Sequence, residues 1–323
     1  VGINIGQNLQ ADGIRTLPEQ FRETQPFKSR TWVIGQAVFI SFSIINFAAL
    51  GFAEASVLVP LESIQFVTNV AYSRVVHKAT APPRMLLGVA LAVCGTVLSV
   101  VFGAKGSSCH SQAQLEWPWR SGVGWWLWCG ISVVVGGFCL WLNGVYTRKV
   151  KEGQKPWGYE FVGPITFTLS SALLGGSQMI VQSKVFSELL AMLFQGDYGA
   201  WVSWLGWVAL VLVVACGIIW VVRLTKCLGL YDPLLILPLM VATYILFGGI
   251  AGGIYFREFD TLHLGFAGVW GWPLYVGGLV CVIIGLYCIA TAGIAMEKAE
   301  KARAAAEAAE RAAQPNGNDA TQR

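Results

Sequence analysis

Eight runs of roughly 20 apolar residues, separated by short polar gaps, fill the chain from Trp32 to Met296. That length is what an α-helix needs to cross about 30 Å of hydrocarbon. The runs cover 32–52, 55–76, 85–104, 123–147, 161–181, 201–224, 233–255 and 271–296. They are continuous rather than alternating, and backbone in hydrocarbon must satisfy its own hydrogen bonds, so each reads as a helix. The composition agrees: 55% of residues are hydrophobic and 12% charged, against about 25% charged in soluble domains. The opening stretch VGINIGQNLQ reads as a further apolar segment too short to span, a truncated first helix. The expectation is an all-α polytopic membrane protein of about nine transmembrane helices. One transmembrane unit covers 1–296, four helices in its first half and five in its second. Residues 297–323 form a cytoplasmic Ala-rich helix, EKAEKARAAAEAAERAA, and a disordered tail.

Cationic residues orient the bundle, because cytoplasmic loops retain Lys and Arg. Taking alternate loops, 18 of the 22 fall on one side, among them Arg15, Lys78, Arg148, Arg223 and Lys298. Lys105, Arg120, Lys184 and Arg257 fall on the other. This puts the carboxyl terminus in the cytoplasm. It also explains the net charge of +4 without a nucleic-acid partner. Of the eight Cys, only Cys109 lies clearly in a loop, which excludes a disulfide framework.

LGFAEASVLVPLE, 50–62, lies in register with LGLYDPLLILPLM, 228–240, aligning Leu50, Gly51, Glu54, Pro60 and Leu61 with Leu228, Gly229, Asp232, Pro238 and Leu239. Gly88 and Gly95 share the spacing of Gly278 and Gly285. An odd number of helices separates the copies, so the reading is an inverted repeat, a device by which transporters expose one central site to either side.

Glu62 is the residue that most needs explaining. A carboxylate near the bilayer centre costs about 2.5–3.5 kcal/mol on insertion scales, so it faces water, a partner or a ligand. Gln65, Asn69 and Tyr72 follow at i+3, i+7 and i+10, one polar stripe on an apolar helix. Pro60 frees a carbonyl beside it, making an oxygen-rich setting suited to a hard cation. A second polar cluster, SSALLGGSQMIVQSK at 170–184, offers Ser170, Ser177, Gln178 and Gln182, with Gly175 and Gly176 allowing close backbone approach; helix packing explains it equally well. The candidate cation pathway is Glu62, Gln65, Asn69, Ser177 and Gln178. Asn46 and Asn143 read as interhelical glue, and Glu54 and Asp232 as helix caps. WPWRSGVGWWLW, 117–128, reads as an interfacial aromatic belt. Gly248, Gly249, Gly252 and Gly253 form overlapping GxxxG pairs. His77, His110 and His263 stand alone in sequence. No catalytic, nucleotide-binding or metallohydrolase motif is present, and nothing points to an enzyme or a bound cofactor.

At NFAALGFAEASVLVPLESIQF, GGSQMIVQSK and YDPLLILPLMVATYILFGGIAGGIYFREF, the chain resembles the NIPA-type magnesium transporters, a branch of the drug/metabolite transporter superfamily. The likeness runs from Gly2 to about Ile294. It implies nine helices and transport of Mg2+ or other divalent cations in a plasma or endosomal membrane. The family pattern tends to have proline at Glu54 and glycine at Glu62, so those carboxylates stand on physical argument alone. Expected partners are the lipid bilayer and a divalent cation substrate, with room for a homo-oligomer. Two other classes fit such a composition: a carrier of a small organic solute, and a non-transporting scaffold acting through 297–313. The charge asymmetry predicts that a tag placed after Arg323 is reached by antibody in permeabilised cells and not in intact ones; labelling of intact cells reverses the topology.

Overall fold

The computed structural model describes residues 2–18, 21, 25–52, 68, 71–72, 74–76, 82–102, 110–154, 158–231, 233–257, 259 and 268–313. Among them every regular element is helical. The longer helices are α1 (Gly2–Arg15), α2 (Arg30–Phe52), α3 (Pro83–Val101), α4 (Gln112–Ser121), α5 (Val123–Lys151), α6 (Tyr159–Ser171), α7 (Ser177–Phe194), α8 (Trp204–Leu230), α9 (Pro233–Tyr255) and α10 (Gly271–Ala313). A π-helical turn, Ala172–Gly176, joins α6 to α7. Among the described residues, three segments are long and apolar enough to cross a membrane: Val123–Val150, Trp204–Leu230 and Gly268–Gly293. Their outward faces carry exposed Val134, Phe138, Trp141, Val211, Ile218 and Ile284, the surface a helix offers to lipid. Most of the run at 55–76, with Glu54, Glu62, Gln65 and Asn69, lies outside the described residues, as do Cys109, Asp232, His77 and His263.

α9 is the centre. It contributes Leu239, Ala242 and Ile245 to a core with α3 and α10. Ala251 and Tyr255 join a second core with α4, α5, α7 and α8, and Ile236, Leu237 and Met240 a third with α1, α2, α6 and α8. A helix apolar on every side has nowhere to sit but inside.

Glycines set two tight contacts. A Cβ on Gly6 would stand 2.7 Å from the Phe39 nitrogen, and one on Gly35 2.7 Å from the Gln10 nitrogen, so α1 and α2 touch backbone to backbone. Along α3 and α10, a Cβ on Gly88 would stand 2.7 Å from the Gly285 oxygen, and one on Gly95 2.6 Å from the Gly278 oxygen. Between helices in lipid, close approach replaces the hydrophobic drive that water would supply.

Two expectations change. In the GxxxG pairs of α9, Gly248 is crowded by Ile180 and Gly253 by Phe259, whereas Gly249 and Gly252 face open space. The motif is half used, because only those two positions meet a neighbour. Nor is the Trp-rich stretch wholly a belt: Trp117 and Trp126 are exposed, but Trp125 and Trp128 are buried. Trp125 sits edge-on to Tyr255 at 4.8 Å, and the Tyr255 hydroxyl donates to the Leu115 carbonyl at 2.6 Å, tying α4 and α5 to α9. The last helix behaves as its composition dictates, running unbroken from Gly271 to Ala313.

Alanine at Gly285 therefore lowers the melting temperature in detergent, since overpacking costs about 1–3 kcal/mol and the opposing backbone cannot step aside. Alanine at Gly249 leaves it unchanged or raises it slightly. Equal melting of the two variants contradicts the assignment of the tight seam to α3 and α10.

Candidate functional site

A buried polar atom without a partner costs about 1–3 kcal/mol; among the described residues such atoms belong to Gln7, Gln10, Gln182, Ser132 and the indoles of Trp32, Trp119, Trp125 and Trp128. Of the pathway residues proposed from sequence, Ser177 and Gln178 are described, and both begin α7. Ser177 is fully buried and donates back to the Leu173 carbonyl at 3.1 Å. The Gln178 amide donates to the Cys129 sulfur of α5 at 3.5 Å. One turn further, Gln182 is fully buried with neither amide atom paired. The π-turn makes this approach close. A Cβ on Gly176 would stand 2.8 Å from the Tyr244 ring and 3.2 Å from that of Trp220, and one on Gly175 3.3 Å from Ile219. Such single π-turns recur at functional sites.

Ser170, weighed with that cluster, has other work. Arg223 of α8 donates to the Ser171 hydroxyl at 2.8 Å, the Ser170 hydroxyl at 2.6 Å and the Phe167 carbonyl at 3.0 Å. Its guanidinium lies 3.8 Å from the Phe167 ring centroid. The residue tallied among loop cations is therefore a structural one, held seven positions inside the end of its helix and clamping α8 to the last turn of α6 before the π-turn. Asn143 acts as the glue expected of it. Its amide donates to the Gly163 carbonyl at 3.0 Å and, at 3.4 Å each, to the Thr166 and Tyr231 hydroxyls, joining α5, α6 and the end of α8.

At the other end of α7, Glu188 meets His110 Nδ1 at 3.0 Å, with both side chains largely buried, and Lys184 lies 4.0 Å from the Phe256 ring centroid. The three His looked solitary in sequence; folding brings this one to a carboxylate 78 positions away. Among the described residues no group of three or more His, Cys, Asp or Glu is placed to hold a metal ion.

The largest surprise is α1. The segment read as apolar turns its amides inward: Asn4, Gln7, Asn8 and Gln10 are buried, while Ile5 is exposed. The Asn8 amide donates to the Asn4 backbone carbonyl at 2.9 Å and to its side-chain oxygen at 3.0 Å. The Gln10 amide donates to Gln36 Oε1 at 3.0 Å. The side-chain oxygens of Gln7 and Gln10 are buried and unpaired. One turn beyond Asn8, Asp12 accepts from the Tyr72 hydroxyl at 2.7 Å. A sequence signal existed, since Asn4, Asn8 and Asp12 recur at i, i+4 and i+8. The interleaved Ile3, Ile5 and Leu9 concealed it.

The family model of the magnesium transporter NIPA matches residues 23–293. A probable magnesium transporter NIPA8 of Arabidopsis thaliana is 28% identical over 303 residues, 90% of this chain and 66% of that protein. NIPA-like protein 2 of Mus musculus is 24% identical over 257 residues, 80% of this chain and 63% of that one. The human NIPA-like protein 2 has the same identity and coverage. This chain thus spans slightly less than two thirds of the length of these relatives. No solved structure matches. With the family model covering most of its length, the chain belongs to the NIPA family of magnesium transporters.

Proposed function

We propose that this protein carries magnesium across the bilayer by alternating access, with Glu62, Gln65, Asn69, Ser177 and Gln178 along its path. Membership of the family over residues 23–293 is the observation that carries this reading. Mg2+ gives up its waters reluctantly and usually keeps several, so one carboxylate with neutral oxygens around it is a sufficient site. The unpaired amide of Gln182, one turn from Gln178 and fully buried, supports a polar path along the first turns of α7. No bound cofactor takes part, and Mg2+ is the cargo. Residues 1–296 are the transport unit, and the remaining chain lies in the cytoplasm of a plasma or endosomal membrane.

α3 and α10 run antiparallel through glycines of equal spacing, Gly88 meeting Gly285 and Gly95 meeting Gly278, an arrangement compatible with an inverted repeat.

Glu62→Gln tests the path. It removes the charge and keeps shape, so Mg2+ uptake into proteoliposomes falls per folded molecule while the melting temperature holds or rises, an amide being cheaper than a carboxylate in hydrocarbon. A Glu62 that serves only in a buried ion pair gives the opposite pattern: unchanged uptake and a loss of about 3–5 kcal/mol of stability.

A further inference from the structure

The inward face of α1 has the wrong chemistry for packing and a suitable one for a hydrated cation. At about 100° per residue, Gln7, Ala11, Asn4, Asn8 and Asp12 share an arc of about 140°. Ala11 is the one apolar member, and it is small. Asn4, Gln7, Asn8 and Ala11 are all more than nine-tenths buried. They are covered by protein, since α1 packs on α2, α8 and α9, whereas Ile5 on another face is 40% exposed. Ile14 and Ile3 pack on the apolar core beside this face, so apolar packing accounts for them and not for the buried amides. Close packing with α2 is handled elsewhere on the helix, by Gly6 and Gly13.

One acceptor on this arc, the buried Gln7 side-chain oxygen, still awaits a donor. The Asn8 amide is already used on Asn4. The Asp12 carboxylate ends the row near the cytoplasmic end of α1, with Tyr72 as one of its partners. Arg15, one turn past Asp12, falls within the same arc and is exposed at its end. Waters bound to Mg2+ have their oxygens on the metal and their protons outward, so the walls that suit a hydrated Mg2+ are carbonyl and carboxylate oxygens. Tyr72 is also the described member of the polar stripe that begins at Glu62 in sequence, so its bond to Asp12 joins α1 to that stripe.

We infer that Asn4, Gln7, Asn8 and Asp12 on α1 form a binding station for a hydrated divalent cation at the cytoplasmic side of the path, with Asp12 its charge and the Tyr72 hydroxyl a gate competing for that carboxylate. The inference deepens the magnesium-transport reading and rests on it for the identity of the cargo.

Two measurements on the full chain test it: the initial rate of Mg2+ uptake into proteoliposomes across Mg2+ concentration, and the rise in melting temperature that MgCl2 produces in detergent, with NaCl of equal ionic strength as control. Asp12→Asn should raise the Mg2+ concentration for half-maximal uptake by about tenfold or more, a modest effect for removing a full charge beside a divalent ion. It should also abolish the Mg2+-specific rise in melting temperature. Tyr72→Phe keeps the ring and removes one competitor for the carboxylate, so half-maximal uptake moves to lower Mg2+. Asp12→Glu retains the Mg2+ response and decides the matter if the Asn variant does not fold; a folded Glu variant blind to Mg2+ overturns the station. An Asn variant with wild-type half-maximal concentration and wild-type Mg2+ response makes Asp12 a structural partner of Tyr72 and ends the proposal. Failure of the transport reading looks different: the wild type takes up no Mg2+. In that case a Mg2+-dependent rise in melting temperature that Asp12→Asn removes still upholds the station, and its absence in the wild type ends it as well.

Discussion

Helices in hydrocarbon gain nothing by hiding apolar surface from a solvent that is itself apolar, so what joins them must be close backbone approach and polar contact. Much of this structure follows from that constraint. α1 meets α2 through Gly6, Gly13 and Gly35, and α3 meets α10 through Gly88, Gly95, Gly278 and Gly285. Where the helices stand further apart, side chains with polar tips bridge them. Asn143 links α5 to α6, Arg223 links α8 to α6, and Tyr255 links α9 to α4. α9 needs little of this because it is surrounded, contributing to all three apolar cores.

The same constraint makes exceptions informative. Most buried hydroxyls here bond to their own helix, as Thr96, Thr243 and Ser177 do, which satisfies them at almost no conformational cost. Gln7, Gln10 and Gln182 hold buried amide atoms without a partner. In hydrocarbon such atoms are expensive. They fall on α1 and on α7 just past the π-turn. Arg223 bonds the last residues before that turn, so the point where α6 becomes α7 is anchored on one side and crowded by Tyr244 and Trp220 on the other. This region joins the polar face of α7 to the rest of the bundle.

Much of the fold could be read from residue order. Apolar run length marked α5, α8 and α9 to within a few residues, and the alanine-rich composition carried α10 past the membrane to Ala313. Asn143 was legible because an isolated amide in an apolar helix has few other uses. The site was less legible. Gln178 and Gln182 stood out as polar residues in an apolar run, but which of them kept unpaired atoms depended on Cys129 reaching one of them from α5. α1 misled, since hydrophobicity averaged along VGINIGQNLQ says nothing about which face turns inward.

By itself, the sequence determined that this chain enters a membrane, that its spans are helical and which residues are too polar to face lipid. Each of these follows from transfer free energies and backbone hydrogen bonding, properties of a segment and its solvent. Only the tertiary structure decided that Trp125 and Trp128 belong to the core, that Gly248 and not Gly249 is crowded, that His110 meets Glu188, and that the amides of α1 look inward to end at Asp12 and Tyr72. Those outcomes depend on which helices become neighbours and how each is rotated about its axis. Contacts between residues far apart in the chain set that rotation, and no local pattern encodes it.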